Sequence, residues 1–227
     1  MTFSYDDGQI FDRKLIDIFN RYHLRGTFHL NSEIFDQKGF IDKSELKTLY
    51  KGHEVSCHGA AHRYLRHLTK EQLINEIWED RKNLEKWSGE LVLGMSYAFG
   101  EYSDEIIQTL ESLGNRYART VESMHPFAIP DNFMKCPLFY IWGHSFEFER
   151  EGNWEVIEKF CETISFKNDV WYATNLEIET YINAVKKLIF NSEGTACRNE
   201  SAYAVWIRNN VTVQSYFQNN ETPVDNR

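Results

Sequence analysis

Along residues 10–23, "IFDRKLIDIFNRYH", apolar side chains fall at 10, 11, 15, 16, 18, 19 and 22, the spacing of one buried helix face. Residues 1–5 before it and "GTFHLN", 26–31, after it read as short buried strands. A short helix near 42–51 leads to "HEVSCH", 53–58, a strand that opens into a loop. "TKEQLINEIWEDRKNLEKW", 69–87, predicts an amphipathic helix with Thr69 as N-cap and Leu73, Ile77 and Leu84 near one face. "LVLGMSYAF", 91–99, is a strand with its exit loop. "SDEIIQTLESLG", 103–114, is a helix between the cap Ser103 and the stop Gly114. "NRYART", 115–120, is a strand, and 121–133, with two prolines and no periodicity, is a loop. "LFYIWGH", 138–144, reads as a buried strand, 153–165 as a helix, "DVWYAT", 169–174, as a strand, and 175–190 as a helix.

Strand and helix thus alternate six or seven times before residue 190, which implies parallel strands with crossover helices, in an open α/β sheet or a (β/α) barrel. The texture then changes: 202–210 and 211–217 predict two strands meeting at Asn209-Asn210, a hairpin. We expect one domain over 1–195, followed by the hairpin and a polar tail over 196–227. The hairpin would pack across the barrel or serve as a homodimer contact.

The 227 residues suffice for a proper core. The net charge of -9, with no basic cluster, argues against a nucleic-acid partner. No apolar run approaches a membrane span, and Met1 stands almost inside the first strand, so the expectation is a cytoplasmic protein. Cys57, Cys136, Cys161 and Cys197 form no CxxC pair and read as reduced thiols. The aromatic share of 15% suits an aromatic-rich core, or a cleft that stacks on sugar rings.

Ionisable residues gather just after the strands, where parallel α/β folds build their sites. "TFSYDDG" places Asp6 beside Asp7; alone it is an Asp-Gly turn with a spare carboxylate. "HGAAH" sets His58 and His62 four residues apart, so that two ring nitrogens can converge on one ion; otherwise they are two surface histidines. His144 closes an apolar strand, where a lone His is more often structural. His23, His29, His53, His67 and His125 have no such partner and are read as surface, packing or supporting residues. Taken together, one Asp and two His give a three-ligand site for Zn²⁺, with Co²⁺ or Ni²⁺ as alternatives. The second carboxylate can act as general base and the distant His can protonate a leaving amine. Two adjacent carboxylates become tolerable because the cation compensates one of them.

The order TFxxDDG, GHEVxxHxxxH, a strand-end aromatic motif and a late strand ending in His resembles the polysaccharide deacetylases of the NodB-homology type, carbohydrate esterase family four, over about residues 1–190. The resemblance implies a distorted (β/α)₇ barrel, here with a C-terminal β-hairpin appendage. It implies hydrolysis of N-acetyl groups on sugars, with Asp6 as base, Asp7, His58 and His62 holding the metal, and His144 as general acid. The chain departs from the pattern where "MSYAFGEY" has Ser96 in place of the family's Arg and Phe99 in place of its Tyr. Arg119, at the next strand end, is the candidate to replace that Arg, or else an ordinary surface ion pair. The Asp-Trp motif is not recognisable. Tyr97 and Phe99 are expected near the oxyanion and the substrate, and Trp142 or Phe146 against an acetyl methyl or a sugar face, or in the core. Two other readings stay open: a non-catalytic, metal-containing carbohydrate-binding relative, and an amidohydrolase acting on a small soluble amide.

Overall fold

The computed structural model describes residues 1–122, 130, 132–136, 140–208, 213–216 and 222–223. The chain divides into two compact units, Met1–Leu176 and Glu177–Arg227.

The first unit is built on β1 (Thr2–Asp6), β2 (Gly26–Leu30), β3 (Glu54–Cys57), β4 (Gly94–Ser96), β5 (Tyr117–Arg119) and β6 (Tyr140–His144). They form one parallel sheet in the order β5-β4-β3-β2-β1-β6. The connections carry α1 (Asp12–Arg21), the single turn α2 (Leu46–Leu49), α3 (Lys70–Ser88) and α4 (Asp104–Ser112). The helix signals act as expected. Thr69 accepts from Gln72 N–H and Ser103 from Ile106 N–H, while Gly89 and Gly114 take the left-handed conformation past the helix ends. The architecture is the expected one: a curled, parallel half-barrel sheet with helices outside.

Strand alternation divides the two faces. Phe3 and Tyr5 point toward the helices and pack on Phe19. Thr2, Ser4 and Asp6 share the other face, which is polar but dry. There Thr2 Oγ1 donates to Asn175 Oδ1 (2.9 Å), and Ser4 Oγ meets His29 Nε2 (2.9 Å). Glu54 accepts from Thr27 Oγ1 (2.9 Å) and Tyr117 OH (2.6 Å). The Tyr117 ring lies where a Cβ on Gly94 would be, so only glycine fits at that position of β4. All four cysteines are buried and none forms a disulfide.

Three elements differ from the sequence expectation. Residues 169–174 join no ladder; beside the start of β1, the Met1 amino group donates to Trp171 O (2.7 Å) and Ala173 N–H to Met1 O (3.0 Å). A helix over Ser145–Glu151, α5, follows β6 directly; α6 is Trp154–Ile164. α5 was hidden because its first turn is capped by the last residue of a strand, His144, whose N–H donates to Glu147 Oε2 (3.0 Å). The helix expected over 175–190 is α7 (Asn175–Lys186) and stops early. Leu188–Phe190 is a strand, β7, pairing antiparallel with β8 (Ala196–Asn199). Asn191 Oδ1 accepts from Thr195 N–H and Ala196 N–H and shapes the turn between them.

In the second unit, β9 (Val205–Arg208) and β10 (Val213–Tyr216) pair antiparallel as expected; their turn at Asn209-Asn210 lies outside the described residues. Most of the 121–133 loop also lies outside them. Among the described residues no helix is long and apolar enough to cross a membrane.

Candidate active site

Extended residues alternate sides, so neighbouring Asp6 and Asp7 should point apart. They do not, because Asp7 leaves the strand in the left-handed conformation (φ 80°), its N–H donating to His29 O at 2.9 Å. Gly8 continues the turn with φ 69°. Both carboxylates therefore sit at the same strand end, with Asp6 buried and Asp7 partly exposed.

The imidazoles come from the loop after β3. Its backbone is held by side chains that are buried and polar. Asp80 Oδ2 accepts from His58 N–H (3.0 Å) and Asp80 Oδ1 from Ser32 N–H (2.8 Å). Asn31 Nδ2 donates to His58 O and Gly59 O, and Glu76 Oε1 accepts from Ala61 N–H at 2.9 Å. His62 takes φ 53°, which brings its ring back over His58. The two Nε2 atoms are 3.1 Å apart, and Asp7 Oδ1 lies 3.6 Å from His58 Nε2 and 3.8 Å from His62 Nε2.

This donor set fits a divalent transition ion. The three ligand atoms lie within 4.8 Å of one another, and Asp7 Oδ1 is buried with no hydrogen-bond donor. His58 Nδ1 faces the Ser96 carbonyl at 3.0 Å, an acceptor only, which puts the proton on Nδ1 and leaves the Nε2 lone pair aimed at the cluster. Two nitrogens and one carboxylate suit Zn²⁺, Co²⁺ or Ni²⁺ better than Ca²⁺ or Mg²⁺.

Asp6 is held apart from this cluster by Arg119. That side chain is buried, and one guanidinium nitrogen donates to both Asp6 oxygens. Ser96 Oγ sits 3.3 Å from Asp6 Oδ1 and 2.6 Å from His58 Nδ1. Burial by itself would raise the Asp6 pKa; Arg119, helped by His58 and His29, overrides it and holds the carboxyl well below the usual range. Its Oδ2 lies 3.8 Å from His58 Nε2, close enough for one water to bridge carboxylate and cluster.

His144 comes in from β6 on the far side of Asp7, with Nε2 3.7 Å from Asp7 Oδ2. Its Nδ1 faces Glu147 Oε2 at 3.6 Å. A Cβ on Gly143 would stand 2.9 Å from Glu147 Oε2, so the glycine makes room for that carboxylate. The structure thus brings together Asp6, Asp7, His58, His62, Arg119 and His144. Phe99 and Trp142 are half-exposed beside them: Phe99 packs its ring on His62, and the Arg119 guanidinium lies 5.0 Å from the Trp142 ring centroid. Phe146 sits 5.3 Å from the His144 ring.

Tyr97 is placed differently. Its ring is buried, its hydroxyl donates to Met134 O (2.8 Å) and its N–H to Arg119 O (3.0 Å), so both polar groups are committed within the fold. The sequence reading did not single out Glu76, Asp80, Asn31 or Glu147. For Glu76 and Asp80 a signal existed: two acidic residues four apart on the helix face that carries Leu73, Ile77 and Leu84.

Residues 1–118 match the family model described as polysaccharide deacetylase, and the chain belongs to that family. It is 26% identical over 127 residues to a peptidoglycan-N-acetylglucosamine deacetylase of Bacillus cereus, covering 55% of this chain and 57% of that protein. Among solved structures it is similar to a polysaccharide deacetylase of Bacillus cereus, with TM-score 0.53, 19% identity, and 65% of this chain and 49% of that one covered. It is also similar to a family 4 carbohydrate esterase of Bacillus anthracis, with TM-score 0.55, 16% identity, and coverage of 78% and 80%. The chain spans about half the length of the Bacillus cereus proteins.

Proposed function

We propose that this protein is a metal-dependent deacetylase acting on N-acetylated sugars. The observation that carries the reading is the Asp7–His58–His62 cluster with a second, Arg-held carboxylate, Asp6, 3.8 Å from one ligand nitrogen. A divalent ion there would supply Lewis-acid polarisation of the acyl oxygen and lower the pKa of water.

The chain's own groups do the rest. Asp6, kept ionised and fixed by Arg119, takes the proton of the attacking water as the new C–O bond forms. His144, across Asp7 from the cluster, donates a proton to the amine nitrogen as the C–N bond breaks, releasing acetate and a free amino sugar. Glu147 faces the other ring nitrogen and orients the imidazole. Phe99 and Trp142 offer exposed ring surface for a sugar or an acetyl methyl.

Acetate release from N-acetylglucosamine oligomers with Zn²⁺ or Co²⁺, and with a chelator as control, tests the reading. Metal-dependent release that Asp6→Asn abolishes supports it. Stoichiometric metal without release favours a small amide substrate or a binding-only relative.

A further inference from the structure

His58 and His62 are held by different means. The His58 ring is pinned through Nδ1 by Ser96 (2.6 Å to Oγ, 3.0 Å to the carbonyl). Among the described residues, the one hydrogen-bonding contact of the His62 ring is His58 Nε2 itself. What places His62 is an aromatic row. Its ring meets Phe99 at 4.5 Å and 63°; Phe99 lies flat on Tyr64 at 3.8 Å and 6°; Tyr64 in turn stacks on His67 at 5.5 Å and 29°.

Two features show that this row is not ordinary core packing. Tyr64 and Phe99 are 46% and 48% exposed, so burial does not account for their alignment. The two residues in contact, His62 and Phe99, are both in the left-handed conformation, at φ 53° and φ 59°, although neither is glycine. Side-chain-bearing residues pay for that backbone, and such strain gathers where a geometry is being held for use. Phe99 is held there by a tight turn, with Gly100 N–H donating to Tyr97 O (2.9 Å).

We propose that Phe99 and Tyr64 are positioning residues: a brace that fixes the orientation of the His62 ring and thereby sets the affinity of the Asp7–His58–His62 site for a divalent ion. The proposal rests on the metal reading above. Without the brace, His62 regains rotamer freedom that must be lost again on binding, so affinity falls while the ligand set stays complete.

The test is a Zn²⁺ titration of the full chain against a competing chelator dye, with the Co²⁺ absorption spectrum as a second readout. Tyr64→Ala and Phe99→Ala are expected to weaken binding by roughly 10- to 100-fold, the range seen when groups that orient metal ligands are removed. They should also shift the Co²⁺ bands. Tyr64→Phe and Phe99→Tyr keep the rings and should keep wild-type affinity. Phe99→Gly relieves the backbone but removes the ring, and should bind as weakly as Phe99→Ala. If Phe99→Ala does not fold, Tyr64→Ala decides, since its side chain is half in solvent. Wild-type affinity in Tyr64→Ala would overturn the brace alone. Wild-type protein that takes up no Zn²⁺ would overturn the metal reading and the brace with it.

Discussion

Ser96 and Arg119 are direct cross-strand partners on β4 and β5, and both reach Asp6. The small residue stands where the family's Arg is expected, and the Arg arrives from the adjacent strand at the same level of the sheet. Ser96 keeps the space beside Asp6 open and also contacts His58, so it links the carboxylate to the imidazole.

Arg119→Ala is therefore expected to act twice. It leaves a carboxylate buried without its partner, which costs about 3–5 kcal/mol in comparable buried pairs. It also lets the Asp6 pKa rise, because burial then meets only the opposition of His58 and His29. Denaturant unfolding should show the loss, and acetate release should fall at neutral pH. Arg119→Lys should rescue only part of either, since the ammonium sits on a shorter side chain and has no second nitrogen to donate to Thr120 O (3.4 Å), as Arg119 Nη1 does.

Much of this was readable along the chain because it is local. The DDG turn, the i,i+4 pair His58 and His62, the caps Thr69 and Ser103, and the late hairpin each depend on neighbours in sequence. Arg119 was readable as one of two alternatives, a partner for Asp6 or a surface ion pair; the two residues are 113 apart, and sequence spacing does not say which strand end faces which. The same holds for Asp80 and Glu76, which support the histidine loop from a helix whose periodicity marks them only as misplaced charges. Helix α5 was hidden because its cap, His144, is also the last residue of a strand. The failure of 169–174 to pair is a tertiary outcome that β-forming residues cannot announce.

Asp7 carries a buried, donor-free oxygen next to a second carboxylate, so in the metal-free protein it is a liability. Asp7→Asn keeps the shape and suits a left-handed backbone. We expect the metal-free variant to melt at or above the wild-type temperature. Added Zn²⁺ should raise the melting temperature of the wild type and leave Asp7→Asn unmoved, because only a site that binds the folded state stabilises it. Thermal melts with Zn²⁺ and with chelator check both halves.

Asp12 gives a pH dependence of opposite sign to that of an ordinary ion pair. Burial pushes its carboxyl up to about 7; hydrogen bonds from Ser145 Oγ (2.5 Å) and Tyr50 OH (2.8 Å) oppose the rise, and the charges of Asp7 and Asp6 add to it. The folded chain holds the proton up to about pH 7, whereas the unfolded chain releases it near 3.8. The contribution is complete below pH 3.8 and is lost as pH rises through 7, on the order of a few kcal/mol. Asp12→Asn cannot titrate. The stability difference, wild type minus variant, measured in chelator by urea unfolding, should fall steadily from pH 4 to 7. A flat difference would mean that Asp12 is ionised in the fold throughout.

Glu147 has two jobs that one substitution can separate. Its Oε2 accepts from the His144 N–H and so caps α5, and it faces His144 Nδ1 at 3.6 Å. Glutamine can still accept from the N–H, so Glu147→Gln should leave the helix and the melting temperature unchanged. The negative charge opposite Nδ1 is gone, however, and the imidazole loses the partner that orients it and supports the protonated ring. On the proposed role of His144 as general acid, a group that contributes about 10²–10⁴-fold to rates, this should lower kcat by on the order of tenfold, with KM little changed. Glu147→Ala should lose the cap as well, lowering both kcat and stability. If Glu147→Gln turns over at the wild-type rate, the carboxylate serves only to start the helix, and His144 is oriented by its strand alone.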